Sequence, residues 1–405
     1  MSIVITGAGC VSPLGLTTAE TWQAMRDGVC AIHPLKLESA IDLSTPVAAQ
    51  VKGYDPEQHF TRKELMSLDR STQFALMAAK EAVAQARLSF DDVTLRQRTG
   101  VIIGSANGAE STRETLFAVY HQAKNHSPIF SPLSVPRLMF NAPSAQISMF
   151  FGLQGPAFAV SSACASANHA LIQAAGLLTA GLADIVIAGA TEASITPGFI
   201  RAWESLRALS SDTCRPFCTT RSGLVIGEGA SVFVLERETD AAARGATILA
   251  KLAGFGMSSD AGHLTQPNAE GMLRAMQQAT EMAEISPQEL DYINAHGTGT
   301  RLNDVTEAKA IEALLGSHAE RAAVSSTKSA HGHLMGAAGA VELIAVLGAL
   351  NEGVIPPTLN MQQRDMECNI NIICQPEKRV LTTALSNSFA FGGMNAVLAL
   401  RYAAN

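Results

Sequence analysis

The sequence predicts an α/β fold made of two related halves, residues 1–244 and 245–405. Three observations carry the prediction. Short apolar runs alternate with longer alanine-rich helical stretches, the alternation starts again near residue 245, and no low-complexity linker separates the two passes. Halves joined without a linker are expected to pack tightly rather than swing.

In the first pass, SIVITGAG, TGVIIGSA, FAVSSA, DIVIAGAT and SVFVLE read as buried strands, and STQFALMAAKEAVAQARL and HALIQAAGLLTAGLA as helices. The opening MSIVITGAGCVSPLG reads as a strand followed by a Gly-rich turn. The second pass gives a strand in ILAKLAGFGMSS, a helix around MLRAMQQATEMAEI, strands in DYINAHG and AAVSSTKS, a helix from GAAGAVELIAVLGAL, and ALSNSFAFGGMNAVLAL. The nearest internal echo pairs FAVSSACASANHA with TALSNSFAFGGMNA. Each is an apolar strand, a Ser-rich turn and small residues, which points to duplication.

A chain of 405 residues with 47% hydrophobic residues can bury a large core, so disorder is not expected. Its apolar runs are broken by Gly, Pro and charge, and none reaches the roughly 20 residues of a membrane span. The start carries no basic segment before its apolar residues, so a cytoplasmic location is expected. A net charge of −7 disfavours nucleic acid, and the basic spots at Arg62–Lys63 and Arg96–Arg98 read as solvated surface. Seven cysteines (Cys10, Cys30, Cys164, Cys214, Cys218, Cys368 and Cys374) lack CxxC spacing, so neither a disulfide framework nor a metal site is indicated.

Cys164 stands where a strand stops and a helix starts. Read at the first turn of that helix, its sulfur would face unpaired N–H groups and the positive end of the helix dipole, which favours thiolate and makes a nucleophile. Small neighbours (Ser162, Ala163, Ala165, Ser166 and Ala167) leave room for a thioester, and the Cys164 amide could hold an oxyanion. A buried structural cysteine is the alternative reading. DYINAHGTGT places His296 directly after a strand, and AAVSSTKSAHGHLMGAAGA places Lys328, His331 and His333 on another strand-to-helix loop. Any single histidine is more often an ordinary surface or hydrogen-bonded residue. Three strand ends carrying Cys, His and Lys/His fit the habit of α/β folds to gather ligands at the carboxyl ends of strands.

SSACASANHA, NAHGTGTRLND, SSTKSAHGHLMGAAGAVE and SNSFAFGGMNA, in that order, resemble the signatures of β-ketoacyl-acyl carrier protein synthases of types I and II. RPFCTTRSGLVIGEGASVFVLE and VITGAGCVSPLG resemble that family too, so the likeness spans nearly the whole chain. The resemblance implies a thiolase-like fold of two αβ halves in five layers, usually a homodimer, with a heterodimer with a related subunit as the other arrangement. It implies acyl transfer from acyl carrier protein to Cys164, then decarboxylative condensation with a malonyl thioester. His296 and His333 would bond the malonyl carbonyl, Lys328 would bias the field, and Glu342 would be the acid behind them. Phe391 would supply an oxyanion-hole amide beside that of Cys164 and gate the acyl pocket, with Gly392 and Gly393 giving flexibility. Core packing is the plain alternative for Phe391. Lys63 and Arg207 would dock the acidic carrier, and no cofactor, nucleic acid or membrane enters the reaction.

The sequence also departs from the family's pattern. Ala390 stands where glycine usually precedes the gating phenylalanine, which would stiffen the loop. His331 stands where threonine is usual, and no role is assigned to it. Asn107, Glu110 and Arg113 in SANGAESTRE replace an apolar stretch, which argues against a long saturated chain as the preferred guest. Met66 and Ser67 occupy places often basic, pointing to a dedicated carrier protein. Thiolases carry a second cysteine where this chain reads AFGG, and type III synthases pair their cysteine with one His and one Asn. The remaining alternative is a non-catalytic, chain-length-factor-like subunit, which usually lacks the cysteine. GTGTRLND lacks metal spacing and ITGAGCVSPLG lacks a full phosphate loop.

Overall fold

The computed structural model describes residues 2–37, 43–123 and 127–403. Among them, ten strands form one continuous sheet. They are β1 (Ile3–Val11), β2 (Thr99–Gly104), β3 (Ala157–Val160), β4 (Ile185–Glu192) and β5 (Gly229–Arg237), then β6 (Ala250–Ser259), β7 (Tyr292–Asn294), β8 (Ala323–Ser325), β9 (Thr383–Ala390) and β10 (Met394–Arg401). The order across the sheet is β3-β2-β4-β5-β1-β6-β10-β9-β7-β8.

Divided between β1 and β6, the sheet consists of two sets of five strands with one topology. In each set the order is third, second, fourth, fifth, first. The fifth strand runs antiparallel to the first and fourth, and the second runs parallel to the third and fourth. The sets are stitched by a short antiparallel pairing, Ile3↔Leu252 to Ile5↔Ala250.

This topology corrects the internal echo. FAVSSACASANHA contains β3, the third strand of its set, whereas TALSNSFAFGGMNA contains β9, a fourth strand. The topological counterpart of the Cys164 loop is therefore the Lys328 loop after β8, where AVSSTK matches AVSSAC. Strand-turn-helix units share composition wherever they occur, so local resemblance does not identify topological partners.

The principal helices are α1 (Arg70–Gln85), α2 (Glu110–Gln122), α3 (Ser166–Thr179), α4 (Pro197–Ser205), α5 (Ala269–Met282), α6 (Arg301–Leu315) and α7 (Ala338–Glu352). α1 covers the outer face of the first set, and α5 with α6 that of the second. α3 and α7 each touch strands of both sets, so they form the middle of five layers. That position explains α7, which is apolar on nearly every side and buried from Ala338 to Leu347, with Asn351 and Glu352 exposed at its C-terminal end. Met335–Glu352 is long and apolar enough by composition to cross a bilayer, but 83% of it is buried inside the fold.

The opening glycines also need correction. β1 runs unbroken through Gly7 and Gly9 to Val11, and the turn begins only at Ser12. The glycines are there because α1 lies on the strand: a Cβ at Gly9 would sit 1.9 Å from the Ala78 carbonyl oxygen. Gly9→Ala should therefore lower stability by about 3 kcal/mol, the upper end for overpacking. An unchanged thermal midpoint by circular dichroism would contradict this packing.

Candidate active site

Cys164 lies between β3 and α3, with Ala165 as the N-terminal cap residue, so it precedes the helix rather than sitting in its first turn. The turn is tight: Ala163 has φ +50°, Ser166 Oγ donates to the Ala163 carbonyl at 2.7 Å, and the Ser162 N–H donates to Ser166 Oγ at 2.9 Å. A non-glycine residue in the left-handed region is strained, and the strain turns the cysteine out toward a cavity. Ser162 Oγ also meets His169 Nδ1 at 2.7 Å.

From the second set, the loop after β7 brings His296 and the loop after β8 brings Lys328 and His333. The Cys164 sulfur and one nitrogen from each of these two imidazoles all lie within 4.8 Å of one another. The two rings stand nearly perpendicular, 5.3 Å apart at 85°. All three residues line a cavity of about 380 Å³, together with Trp203, Arg207, Leu264, Phe389 and Phe391.

Hydrogen bonds fix how the imidazoles face. The Met335 N–H donates to His333 Nδ1 at 3.0 Å, an approach made possible by Met335 at φ +46°. Lys328 Nζ meets His296 Nδ1 at 3.2 Å and donates to the His296 carbonyl at 2.6 Å. An Nδ1 that accepts leaves the proton on Nε2, so both rings are neutral N–H donors. Burial, then the nearby Lys328 charge, holds both histidines well below their ordinary pKa, which keeps them neutral.

Lys328 and Glu342 form an ion pair with both side chains fully buried. Burial raises the Glu342 carboxyl, and the Lys328 charge and hydrogen bond oppose that rise. His331 lies outside the cavity lining, buried and bonded through Nε2 to Thr327 Oγ1 at 3.0 Å, and burial pushes it down to about 3. It is a neutral packing residue that does not titrate near neutral pH.

The thiolate expectation is overturned. Burial pushes the Cys164 thiol up to about 12, with Lys328 pulling down and the Glu192 and Glu342 charges pushing up. The sulfur rests as a thiol because lost hydration outweighs the nearby charges.

Three acids escaped the sequence reading. Glu307 on α6 accepts the His296 and Gly297 N–H groups, each at 2.7 Å, and burial raises it to about 7. Asp304, one turn earlier and raised by burial to about 6, accepts the Phe217 N–H at 2.8 Å and the Gly299 N–H at 3.2 Å. Glu192 at the end of β4 accepts the Ala106 N–H at 2.8 Å and the Gly336 N–H at 3.1 Å, and burial raises it to about 7. For Asp304 and Glu307 the available signal was acids at i and i+3 just after the Gly-rich turn in GTGTRLNDVTE. RPFCTTRSGLVIGEG also finds its place: the His333 N–H donates to the Val225 carbonyl at 2.7 Å, and the Gly227 N–H to the His333 carbonyl at 2.9 Å.

Phe391 sits on the three-residue turn between β9 and β10, 38% exposed, with Gly392 and Gly393 at φ +83° and +70°. The turn is tied back by the Gly392 N–H donating to the Leu264 carbonyl at 2.7 Å. Ala390 ends β9 outside the left-handed region, so its Cβ costs the turn nothing. Arg207 lines the cavity, whereas Lys63 is exposed on the short helix Arg62–Leu65 and does not. Asn107, Glu110 and Arg113 are bonded to one another and do not line this cavity either.

Two family models match the chain, Beta-ketoacyl synthase, N-terminal domain over residues 1–241 and Beta-ketoacyl synthase, C-terminal domain over residues 249–362. Nodulation protein E of Rhizobium leguminosarum bv. trifolii is 43% identical over 400 residues, covering 98% of each chain. A 3-oxoacyl-[acyl-carrier-protein] synthase 2 of Staphylococcus aureus is 39% identical over 408 residues, again covering 98% of each chain. The solved ishigamide ketosynthase/chain length factor superposes with a TM-score of 0.94 at 31% identity, covering 100% of this chain and 99% of the other.

A thiol held near 12 predicts that iodoacetamide labelling of Cys164 rises about tenfold per pH unit from pH 7 to 9. Lys328→Met removes the charge that favours thiolate and should slow labelling at each pH. Mass spectrometry of the labelled peptide reads both effects, and a plateau near neutral pH would contradict the protonated resting state.

Proposed function

The chain belongs to the β-ketoacyl synthase family, and from that premise we propose how its residues divide one condensation between them. It is a thiolase-fold condensing enzyme working with acyl carrier protein. The observation that carries the division of labour is the pair of imidazoles whose Nδ1 atoms are both occupied, facing one thiol.

In the first step the Cys164 sulfur attacks the acyl-carrier thioester. A carbon–sulfur bond forms to Cys164, the bond to the carrier thiol breaks, and the thiol proton leaves with that carrier. The Cys164 and Phe391 main-chain N–H groups hold the oxyanion. Because the thiol rests protonated, deprotonation accompanies attack rather than preceding it.

In the second step a malonyl thioester loses carbon dioxide, and the electrons of the broken bond move into an enolate. Its oxygen is held by the Nε2–H groups of His296 and His333, neutral donors whose strength grows as charge develops. The carbanion then attacks acyl-Cys164, a carbon–carbon bond forms, the carbon–sulfur bond to Cys164 breaks, and the sulfur leaves as thiolate and takes up one proton from water. Lys328 holds His296 in the tautomer this requires, with Glu342 balancing its charge. The chemistry is redox-neutral, so atoms and electrons balance without an external acceptor.

Arg207 at the cavity mouth and Lys63 on its short helix are proposed contacts for the acidic carrier. We assign residues 1–244 and 245–405 as the two halves and the cytoplasm as the site of action. A second copy of the chain, or a related subunit, is proposed to dock along edge strand β3. Phe117, Tyr120, Ile129, Val135, Met149 and Phe150 are all exposed in the segment leading to that edge, more apolar surface than a lone soluble subunit usually shows.

Cys164→Ala should abolish acyl-enzyme in intact-mass measurements with acyl-carrier donors. His296→Ala and His333→Ala should still load acyl groups but lose condensation by about 10²–10³-fold each, the cost of one oxyanion donor. Equal loss of loading in all three would contradict these roles. Sedimentation should give a dimer, and Ile129→Asp with Phe150→Asp should shift it toward monomer. A wild-type monomer at micromolar concentration would overturn the docking surface.

A further inference from the structure

The two imidazoles hold their tautomers by different means. Lys328 occupies Nδ1 of His296, whereas Nδ1 of His333 is occupied by the Met335 N–H at 3.0 Å. That N–H reaches the ring because Met335 stands at φ +46°, where a residue with a side chain is strained. Such strain persists where neighbouring bonds over-determine it. Upstream, the His333 N–H and carbonyl are held by Val225 and Gly227. Downstream, the first N–H after Met335, that of Gly336, donates to Glu192 Oε2 at 3.1 Å.

Glu192 ends β4 with its side chain fully buried. The same Oε2 accepts the Ala106 N–H at 2.8 Å, and Oε1 accepts the Ser194 hydroxyl at 2.9 Å. Ala106 follows β2 on a segment whose Ser105 N–H donates to the Val160 carbonyl at the end of β3, the strand that leads to Cys164. One carboxylate oxygen thus joins the segment beside the Cys164 strand to the turn beside His333. The joint is close: a Cβ on Gly336 would lie 2.3 Å from the Ala106 nitrogen and 2.9 Å from Glu192 Oε2. Without that oxygen two buried N–H groups would lose their acceptor, and relaxation of the strained Met335 backbone is the simplest repair. The Met335 N–H would then leave His333 Nδ1, and the ring could carry its proton on either nitrogen.

We propose that Glu192 is a positioning residue for the enolate step: by holding Gly336 it keeps the Met335 N–H on His333 Nδ1, and so keeps Nε2–H aimed at the developing oxyanion. This rests on the reading of His333 as an enolate donor. Glu192 works by accepting hydrogen bonds, not by its charge or by proton transfer. Acyl loading of Cys164, which does not use the His333 donor, does not require it.

Glu192→Leu should slow condensation by about tenfold to hundredfold, the cost of a donor displaced by about an ångström, while acyl loading followed by mass spectrometry changes by less than about threefold. Glu192→Gln can offer its carbonyl oxygen to the same two N–H groups and its amide to the Ser194 hydroxyl, so it should recover condensation to within about threefold of the wild type. In NMR spectra of nitrogen-labelled histidine, the His333 signal, identified by its loss in His333→Ala, should show the Nε2–H tautomer alone in the wild type and in Glu192→Gln, and both tautomers in Glu192→Leu. A glutamine variant as impaired as the leucine one overturns the inference, as does a single His333 tautomer in Glu192→Leu. Should Glu192→Leu not fold, Gly336→Ala decides, because it presses on the same joint with the acid in place: condensation lost with loading kept supports the inference, and equal loss of both overturns it. If His333→Ala condenses as well as the wild type, the donor reading itself falls and takes the inference with it.

Discussion

The site depends on one buried cation. Lys328 is fully removed from water, and its ammonium is satisfied by Glu342, the His296 carbonyl and His296 Nδ1. Taking such a charge out of water costs several kcal/mol, which the pair recovers only with good geometry and further hydrogen bonds. The contact to Nδ1 is what the chemistry uses. It forces the proton of His296 to Nε2, and burial, with the positive field of Lys328 adding to it, keeps both rings from protonating. Replacing the pair with hydrocarbon would preserve packing and lose the tautomer.

Around that cation, three buried carboxylates serve the backbone rather than the substrate. Glu307 holds the His296 and Gly297 amides, Asp304 holds Phe217 and Gly299, and Glu192 holds Ala106 and Gly336. Each takes N–H groups of loops that carry site residues or flank them, and so replaces the water those amides would otherwise need. Their pKa values rise because burial outweighs these donated bonds. In stability terms the acids and histidines oppose each other. The raised acids favour the folded state at low pH and lose that contribution as pH climbs through about 6 to 7. His331, lowered to about 3, favours the folded state above its unfolded value and loses that contribution as pH falls.

The duplication has a functional geometry. Cys164 and Lys328 leave the third strand of their respective sets, so equivalent loops of the two halves meet face to face across the middle helices α3 and α7. In the proposed reaction one half supplies the nucleophile and the other supplies the donors that stabilise charge. The short β1–β6 pairing and the shared helix layer keep that meeting rigid, which suits donors that must already be in place when the enolate forms.

The strands, the major helices, the two-part plan and the loops bearing Cys164, His296, Lys328 and His333 were legible in the sequence. Hydrophobic patterning and glycine placement are local properties, and each of those residues lies on the segment that leaves the carboxyl end of a strand. Tertiary structure decided the rest. The true partner of the Cys164 loop, the role of Gly7 and Gly9 under α1, and the backbone-holding work of Glu307, Asp304 and Glu192 all join residues far apart in the chain. The protonation of Cys164 belongs to the same class. A sequence can show that a cysteine precedes a helix, but hydration lost on burial is a sum over everything packed around the sulfur, and here that sum outweighs the pull of the nearby Lys328 charge.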